Sequence, residues 1–238
     1  MVRIQLHGRF VVVVEDRSVE HLLPGRRGRA LVAYLACRRA AVDRCELAEA
    51  LCSSGAGLTA LLSKVRAVLA PVEIVGRQSV QLVLPEGGLV DAAVAAEAAH
   101  RADAAAARRD WPEAWTHALS TLFVTQRPFL PDLREPWVGE HREEVGRLHR
   151  RALTTYAEAC LALATPTELA SAERSARELV RAAPLDEKGH RLLMRALAAR
   201  GDRAEALRVY ERLRRMLLDE LGVGPGPETR AVHEEILR

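Results

Sequence analysis

The segment Gly201 to Thr229, GDRAEALRVYERLRRMLLDELGVGPGPET, constrains the fold more than any other part of this chain. Asp202 stands where a helix N-cap is needed, and Glu205 three residues on completes an Asp-x-x-Glu capping box. Ala206, Tyr210, Leu213 and Leu217 then share one helical face, with Arg208, Arg212, Arg215 and Asp219 off it. Gly222 and Gly224 stop the helix, and Pro225 and Pro227 forbid its simple continuation. No nucleophile, acid–base pair or metal-ligand spacing occurs in the segment. The pattern predicts stacked helical hairpins, a protein-binding scaffold.

A repeat supports this reading. Ala172-x-x-x-Ala176 and Ala206-x-x-x-Tyr210 lie 34 residues apart, with Pro184 placed 12 after Ala172, and Glu113-Ala114-Trp115 with Ala118 echoes the pattern more weakly. These are tetratricopeptide-like spacings, in which a small residue lets two helices approach and an aromatic fills the adjacent gap. Aromatics make up only 4% of the chain while hydrophobic residues reach 49%, so alanine and leucine must build most of the core, as in helix-on-helix packing. Everything after Pro85-Glu86-Gly87-Gly88 reads as helix: Ala92 to Arg108, a second from Pro112, a long one from Trp137 to Leu163, Glu168 to Ala182, Pro184 to Arg200, and a last one from Pro227. Only Gln126 to Pro136 reads as a proline-punctuated loop.

The N-terminal third has another grammar. Val2, Ile4 and Leu6 alternate with polar residues, Phe10 to Val14 is a β-branched run, and Val19 to Leu23 is a third candidate strand. Three helical segments follow. Arg26 to Arg38 carries Ala30, Leu31, Tyr34 and Leu35 on one face. A second helix is capped by Asp43, with Glu46 at the capping-box position. Ser53 to Gly57 reads as a turn, and a third helix runs from Leu58 to Leu69. Val72 to Val75 and Val80 to Leu84 then form a hairpin around Gly76 to Ser79. Strands, three helices and a hairpin in that order define a winged helix-turn-helix, whose third helix would enter a DNA major groove. The expected fold is mainly α: a winged helix-turn-helix (α+β) domain over residues 1–86, then an all-α tetratricopeptide-like domain over 89–238.

Residues 1–90 carry 12 Lys and Arg against 8 Asp and Glu, whereas the remainder carries 23 against 24. The basic excess sits in the winged helix, as an anionic partner requires. The DNA contacts expected there are Lys64 and Arg66, with Thr59 and Ser63 beside them on the third helix, and Arg77 on the wing. The cluster Arg26, Arg27 and Arg29 stands ready for backbone phosphates. Cys37, Cys45, Cys52 and Cys160 show no paired spacing and read as free thiols of a reducing cytoplasm. No signal peptide or membrane-length apolar run occurs. Trp111, Trp115 and Trp137 read as core anchors, and His141, His149 and His190 as packing or surface histidines. No Walker loop, nucleophile elbow or dinucleotide fingerprint is present, so neither an enzyme nor a cofactor or metal site is expected.

The stretches PGRRGRALVAYL (24–35), PFLPDLREPWV (128–138) and 183–237, with its ELGV-x-P-x-PETR ending, resemble the SARP-type bacterial transcriptional activators. These join an OmpR-like winged helix to a bacterial transcriptional activator domain. The resemblance covers essentially the whole chain. It implies a cytoplasmic, sequence-specific activator that binds double-stranded promoter DNA of a specialised-metabolism pathway and engages RNA polymerase, with a homodimer as a further partner. It also implies that Arg44 matches a phosphate-holding position. The chain departs from the pattern at four places. Leu51 is followed by Cys52 where the family carries tryptophan, the segment 53–57 is short, Ala67 replaces a basic residue, and the wing GRQSVQLVL (76–84) lacks the Gly-Tyr pair. These departures motivate a second reading, a helical-repeat interaction or ligand-sensing module with little DNA binding.

Overall fold

The structure, a computed structural model, describes residues 1–38, 40–51 and 54–238. The chain forms two compact units, one from Met1–Glu97 with Phe123–Gly146, the other from Ala98–Leu122 with Arg147–Arg238.

In the first unit, β1 (Val2–Gln5), β2 (Val11–Val14), β3 (Arg17–Ser18) and β7 (Leu89–Val90) form a sheet in the order β3-β2-β1-β7. The β1–β2 pair is antiparallel with Ile4 opposite Val12, and β7 lies parallel to β1. Alternation sends Val2, Ile4, Val12 and Val14 into the core, as a half-buried strand requires. The third expected strand, Val19 to Leu23, is absent. The left-handed pair Glu15 and Asp16 folds the chain back directly into Val14↔Arg17 and Val13↔Ser18; the last bond to β2 is Val19 N–H to the Val12 carbonyl at 2.8 Å, after which Leu22 N–H bonds the Val19 carbonyl in a turn.

Helix α1 (Gly25–Cys37) buries Ala30, Leu31, Tyr34 and Leu35, the face expected from spacing. Two-residue β4 (Val42–Asp43) leads into α2 (Arg44–Ala50), and α3 (Gly55–Leu69) is followed by the hairpin β5 (Glu73–Val75) and β6 (Ser79–Val83). A three-stranded sheet β4-β6-β5 results. Helix α3 starts earlier than its apolar periodicity predicts. The Ser54 hydroxyl accepts from Gly57 N–H at 3.2 Å, so Gly55, Ala56 and Gly57 form a first helical turn; Ser53, the start of the expected turn, lies outside the described residues. Leu58, Leu62, Val65 and Leu69 are buried, each worth about 1.5–3 kcal/mol relative to exposure.

The loop 126–136 completes this core rather than skirting it. Phe129, Leu130, Leu133 and Val138 are buried with the strand and helix residues. Gly8 N–H bonds the Pro128 carbonyl at 2.8 Å, and Leu130 N–H bonds that of Leu6 at 2.9 Å. Arg142 donates from Nε to the Phe129 carbonyl (2.9 Å), and from Nη2 to those of Leu130 and Leu133. Asp91, first residue of α4 (Asp91–Ala107), accepts from Leu6 N–H at 2.8 Å and His7 N–H at 2.9 Å, tying the helix start to the end of β1.

The second unit is helical: parts of α4, α5 (Trp111–Thr125) and α6 (Pro136–Leu163), then α7 (Pro166–Ala182), α8 (Glu187–Ala199), α9 (Arg203–Leu221) and α10 (Pro227–Leu237). Ala114, Ala118, Ala172, Ala176 and Ala206 are each 0% exposed, which is why the repeat needs alanine at these positions: helices approach there without a side chain between them. Tyr210 fills the gap beside Ala206 and stacks on the His233 ring at 3.9 Å. Asp202 caps α9 by accepting from Glu205 N–H at 3.2 Å, but the reciprocal half of the capping box does not form. Asp202 N–H is already taken by the Leu197 carbonyl, and the Glu205 carboxylate pairs with Arg212 (2.8 Å) and Arg208 (3.1 Å) instead. Those two hydrogen bonds, Arg212's first, hold the Glu205 carboxyl below its ordinary pKa. Gly222, at φ +69°, closes α9 in the left-handed conformation that glycine adopts without strain.

The GPGPETR ending then docks α10 onto α8. The Gly226 N–H donates to both carboxylate oxygens of Glu187 at 3.0 Å, Arg191 pairs with Glu228 at 2.7 Å and donates to Thr229 Oγ1 at 3.3 Å, and Arg230 donates to the Pro225 carbonyl at 3.0 Å.

Candidate nucleic-acid interface

Asp43 and Ser54 cap α2 and α3, and the two helices pack with Leu47, Leu58 and Leu62 inward. This leaves Thr59, Ser63 and Lys64 exposed on the outer face of α3. Asp43 accepts from Cys45 N–H at 2.7 Å. Glu46 does not complete the expected capping box; its carboxylate accepts from the Tyr34 hydroxyl at 2.6 Å, because Tyr34 is buried and needs an acceptor. Burial first, and that hydrogen bond second, raise the Tyr34 pKa.

Two arginines join α2 and α3 to the hairpin. Arg44 donates from Nη2 to Thr59 Oγ1 (2.7 Å) and from Nη1 to the Arg77 carbonyl (3.4 Å), while its backbone N–H bonds the Gln78 carbonyl (3.0 Å). Thr59 in turn donates to the Gly55 carbonyl at 3.0 Å. Arg66 is half-buried; its Nε donates to the Ile74 carbonyl at 2.8 Å and its Nη2 to that of Gly76 at 3.3 Å. Gly76 turns the hairpin at φ +96°, and a Cβ there would stand 1.9 Å from the Ser79 carbonyl oxygen. Among the described residues the side chains of Ser63, Lys64 and Arg77 have no hydrogen-bond or ion-pair partner, so they present open donors beside one another's elements.

Arg26 and Arg29 are placed elsewhere. Both are exposed at the start of α1, at the mouth of a cleft of about 220 Å³ floored by Phe10, Leu130 and Leu133, with Asp132 on its rim. Arg26 pairs with Glu135 at 3.2 Å, and Arg29 has no partner among the described residues. Sequence reasoning reads these arginines as one cluster with Arg27; it has no signal for Glu135, more than a hundred residues away.

The tryptophans are packing residues. Trp137 meets the Tyr34 ring edge-on at 5.1 Å, Trp115 lies against Tyr156 at 5.9 Å, and Trp111 is half-buried in an alanine cluster. His141 pairs with Glu144 at 3.0 Å and His149 with Glu178 at 2.9 Å, while buried His190 bonds the Pro184 carbonyl at 2.9 Å. Among the described residues no three His, Cys, Asp or Glu side chains are grouped to hold a metal, and no helix is long and apolar enough to cross a membrane. Cys37, Cys45 and Cys160 are free thiols; Cys52 lies outside the described residues.

A winged helix-turn-helix followed by tetratricopeptide-like helices is the architecture of a bacterial transcription regulator. Residues 90–237 match the bacterial transcriptional activator domain, and the chain belongs to that family, in its SARP type. The regulatory protein AfsR of Streptomyces griseus is 31% identical over 176 residues, and AfsR of Streptomyces coelicolor 34% over 178; each alignment covers 74% of this chain. The chain spans only 18% of the length of these relatives. Among solved structures, Mycobacterium tuberculosis EmbR, in complex with a low-affinity phosphopeptide, superposes with a TM-score of 0.82 at 26% identity. That match covers all of this chain and 65% of EmbR.

Proposed function

We propose that the winged helix, residues 1–86, binds double-stranded promoter DNA, and that the helical domain, residues 89–238, helps recruit RNA polymerase and supports homodimerisation in the cytoplasm. The observation that carries this reading is the outer face of α3. It presents Ser63 and Lys64 with unengaged donors, beside a hairpin that presents Arg77. Such a face suits major-groove insertion with flanking backbone contact. Arg44 and Thr59 lie at the edge of this face, with Arg66 behind it. Arg26 and Arg29 add a second cationic surface able to take phosphate. Family membership supports activation, and recruitment needs only favourable contacts that raise polymerase occupancy. A specialised-metabolism promoter is the target class implied by the resemblance to the SARP-type activators.

The test is selection of duplexes from a random 30-bp pool by the full chain, followed by mobility shift across salt. A selected consensus bound with salt-dependent affinity, weakened by Lys64→Ala, is expected; no enrichment at low salt sinks the DNA-binding reading. It would leave the helical domain as the working part, an interaction or ligand-sensing module, the alternative favoured by the scarcity of cations on α3. Run-off transcription from a promoter carrying the consensus then tests recruitment.

A further inference from the structure

Resting on the DNA-binding reading above, we infer that Arg66, and with it Arg44, serves DNA recognition as a positioning residue that fixes the wing against α3, while the ionic contacts of this face belong to Lys64 and Arg77. Arg66 sits on the recognition helix, where its charge alone would mark it as a phosphate or base contact. Its geometry assigns otherwise. The guanidinium spends Nε on the Ile74 carbonyl and Nη2 on the Gly76 carbonyl, one in the middle of β5 and the other in the hairpin turn. Gly76 lies in the turn beyond the last pair, Val75↔Gln81, and Ile74, though paired with Leu82, stands on β5, the edge strand of the sheet, so removing Arg66 takes a donor from two wing carbonyls.

Arg44 repeats the arrangement from the other side. Its backbone bonds the Gln78 carbonyl and its side chain reaches the Arg77 carbonyl, while Nη2 engages Thr59 on α3. Four consecutive-region carbonyls of the wing, at residues 74, 76, 77 and 78, are therefore held by two arginines rooted in α2 and α3. The wing turn, closed by the left-handed Gly76, is held in one place relative to the recognition helix. Thr59 is likewise engaged at both its hydroxyl donor and acceptor sites. The remaining outward cations, Lys64 on the helix and Arg77 on the wing, have no partner among the described residues. The two roles differ in one measurable respect. A residue that neutralises phosphate contributes about 0.9 to the slope of log affinity against log salt, whereas a residue that only places others contributes to affinity and nothing to slope.

The experiment uses the full chain and duplexes selected by the wild type from a random 30-bp pool. Affinity is measured from about 50 to 300 mM salt, the range over which counterion release dominates. Lys64→Gln and Arg77→Gln are each expected to flatten the slope by about 0.9. Arg66→Gln and Arg44→Gln are expected to weaken binding about tenfold or more at an unchanged slope, through loss of the wing tether. Arg66→Lys keeps the charge but replaces the fork by one ammonium that cannot span both carbonyls, so it is expected to behave as Arg66→Gln does. In the free protein, amide exchange at Gly76, Arg77 and Gln78 is expected to quicken in the Arg66 variants and to stay unchanged in Lys64→Gln. Wild-type affinity in Arg66→Lys, together with a slope flattened by about one charge in Arg66→Gln, overturns the inference and makes Arg66 a contact. Should the Arg66 variants fail to fold, Lys64→Gln/Arg77→Gln decides: a slope lowered by about 1.8 upholds the assignment, and one lowered by less than about 0.9 overturns it. A wild type that selects no duplex is a failure of the DNA-binding reading itself, and is seen before any variant is made.

Discussion

The carboxylate of Glu187, first residue of α8, takes the backbone N–H of Gly226 between its two oxygens at 3.0 Å each. The distinctive GPGPETR ending is thereby explained. Gly226 is the N-cap of α10 and lacks a side-chain cap of its own, so a charge borrowed from α8 covers the open helix start. Hydrogen bonds to ionised acceptors are worth about 1.5–3 kcal/mol. Glu187→Ala is therefore expected to destabilise the helical unit by about 1–2 kcal/mol, seen as a lowered midpoint in urea with an unchanged m-value. Glu187→Gln, which keeps one oxygen acceptor without the charge, should fall between the two. Equal stability of all three proteins would show that α10 docks without help from Glu187, through Val232, Ile236 and the Arg191 contacts.

Arg142 carries a second prediction. Its guanidinium serves the carbonyls of Phe129, Leu130 and Leu133, which sit in a segment whose side chains are buried in the first unit. Arg142→Leu retains packing but orphans three acceptors, and should cost about 3 kcal/mol or more, at the upper end for single substitutions. A fragment ending at residue 97 lacks Phe129, Leu130, Leu133 and Val138 altogether and is expected to show no cooperative unfolding transition. A sharp, reversible transition in that fragment would mean the segment 123–146 is dispensable to the winged helix.

The placement of that segment marks what could be read from sequence. Long periodic elements were legible: the inward faces of α1 and α3, and the 34-residue alanine echo, because burial of one stripe at period 3.6 leaves a trace in composition. Two-residue strands leave none, so β4 and β7 emerge only from their partners Val80 and Ile4. The site residues were legible as a list of cations and hydroxyls. Their division was not, since Arg66 and Arg44 bond backbone carbonyls, which carry no residue signature, and Arg26 bonds Glu135 from a distant part of the chain.

Thiol reactivity should separate the cysteines. Burial pushes the Cys37 thiol up to about 12, and Cys160 to about 11, so neither forms thiolate at neutral pH. Cys45 is exposed. In a Cys52→Ser background, titration of the native protein with Ellman's reagent at pH 8 is expected to release one equivalent rapidly, lost in Cys45→Ser. The other two should react only in denaturant. Rapid release of two or more equivalents from the native protein would contradict the raised pKa of half-buried Cys37 or the burial of Cys160.

His190 gives the helical unit an acid sensitivity whose sign is fixed. It is buried, and burial lowers its pKa, with Arg212 adding to the effect; the Pro184 carbonyl, Asp186 and Glu187 oppose it without cancelling it. A histidine with a depressed folded pKa binds its proton more readily when unfolded, so unfolding takes up protons as the pH falls. The stability is complete above the unfolded value near about 6.5 and is lost as pH drops from there toward the lower folded value. His190→Gln retains a donor for the Pro184 carbonyl but cannot titrate. Urea midpoints of the helical unit's transition, measured from pH 7.5 to 5.0, are expected to fall more steeply in the wild type than in His190→Gln, the gap opening below about pH 6.5. Parallel curves for the two proteins would show that His190 accepts its proton in the folded state without cost.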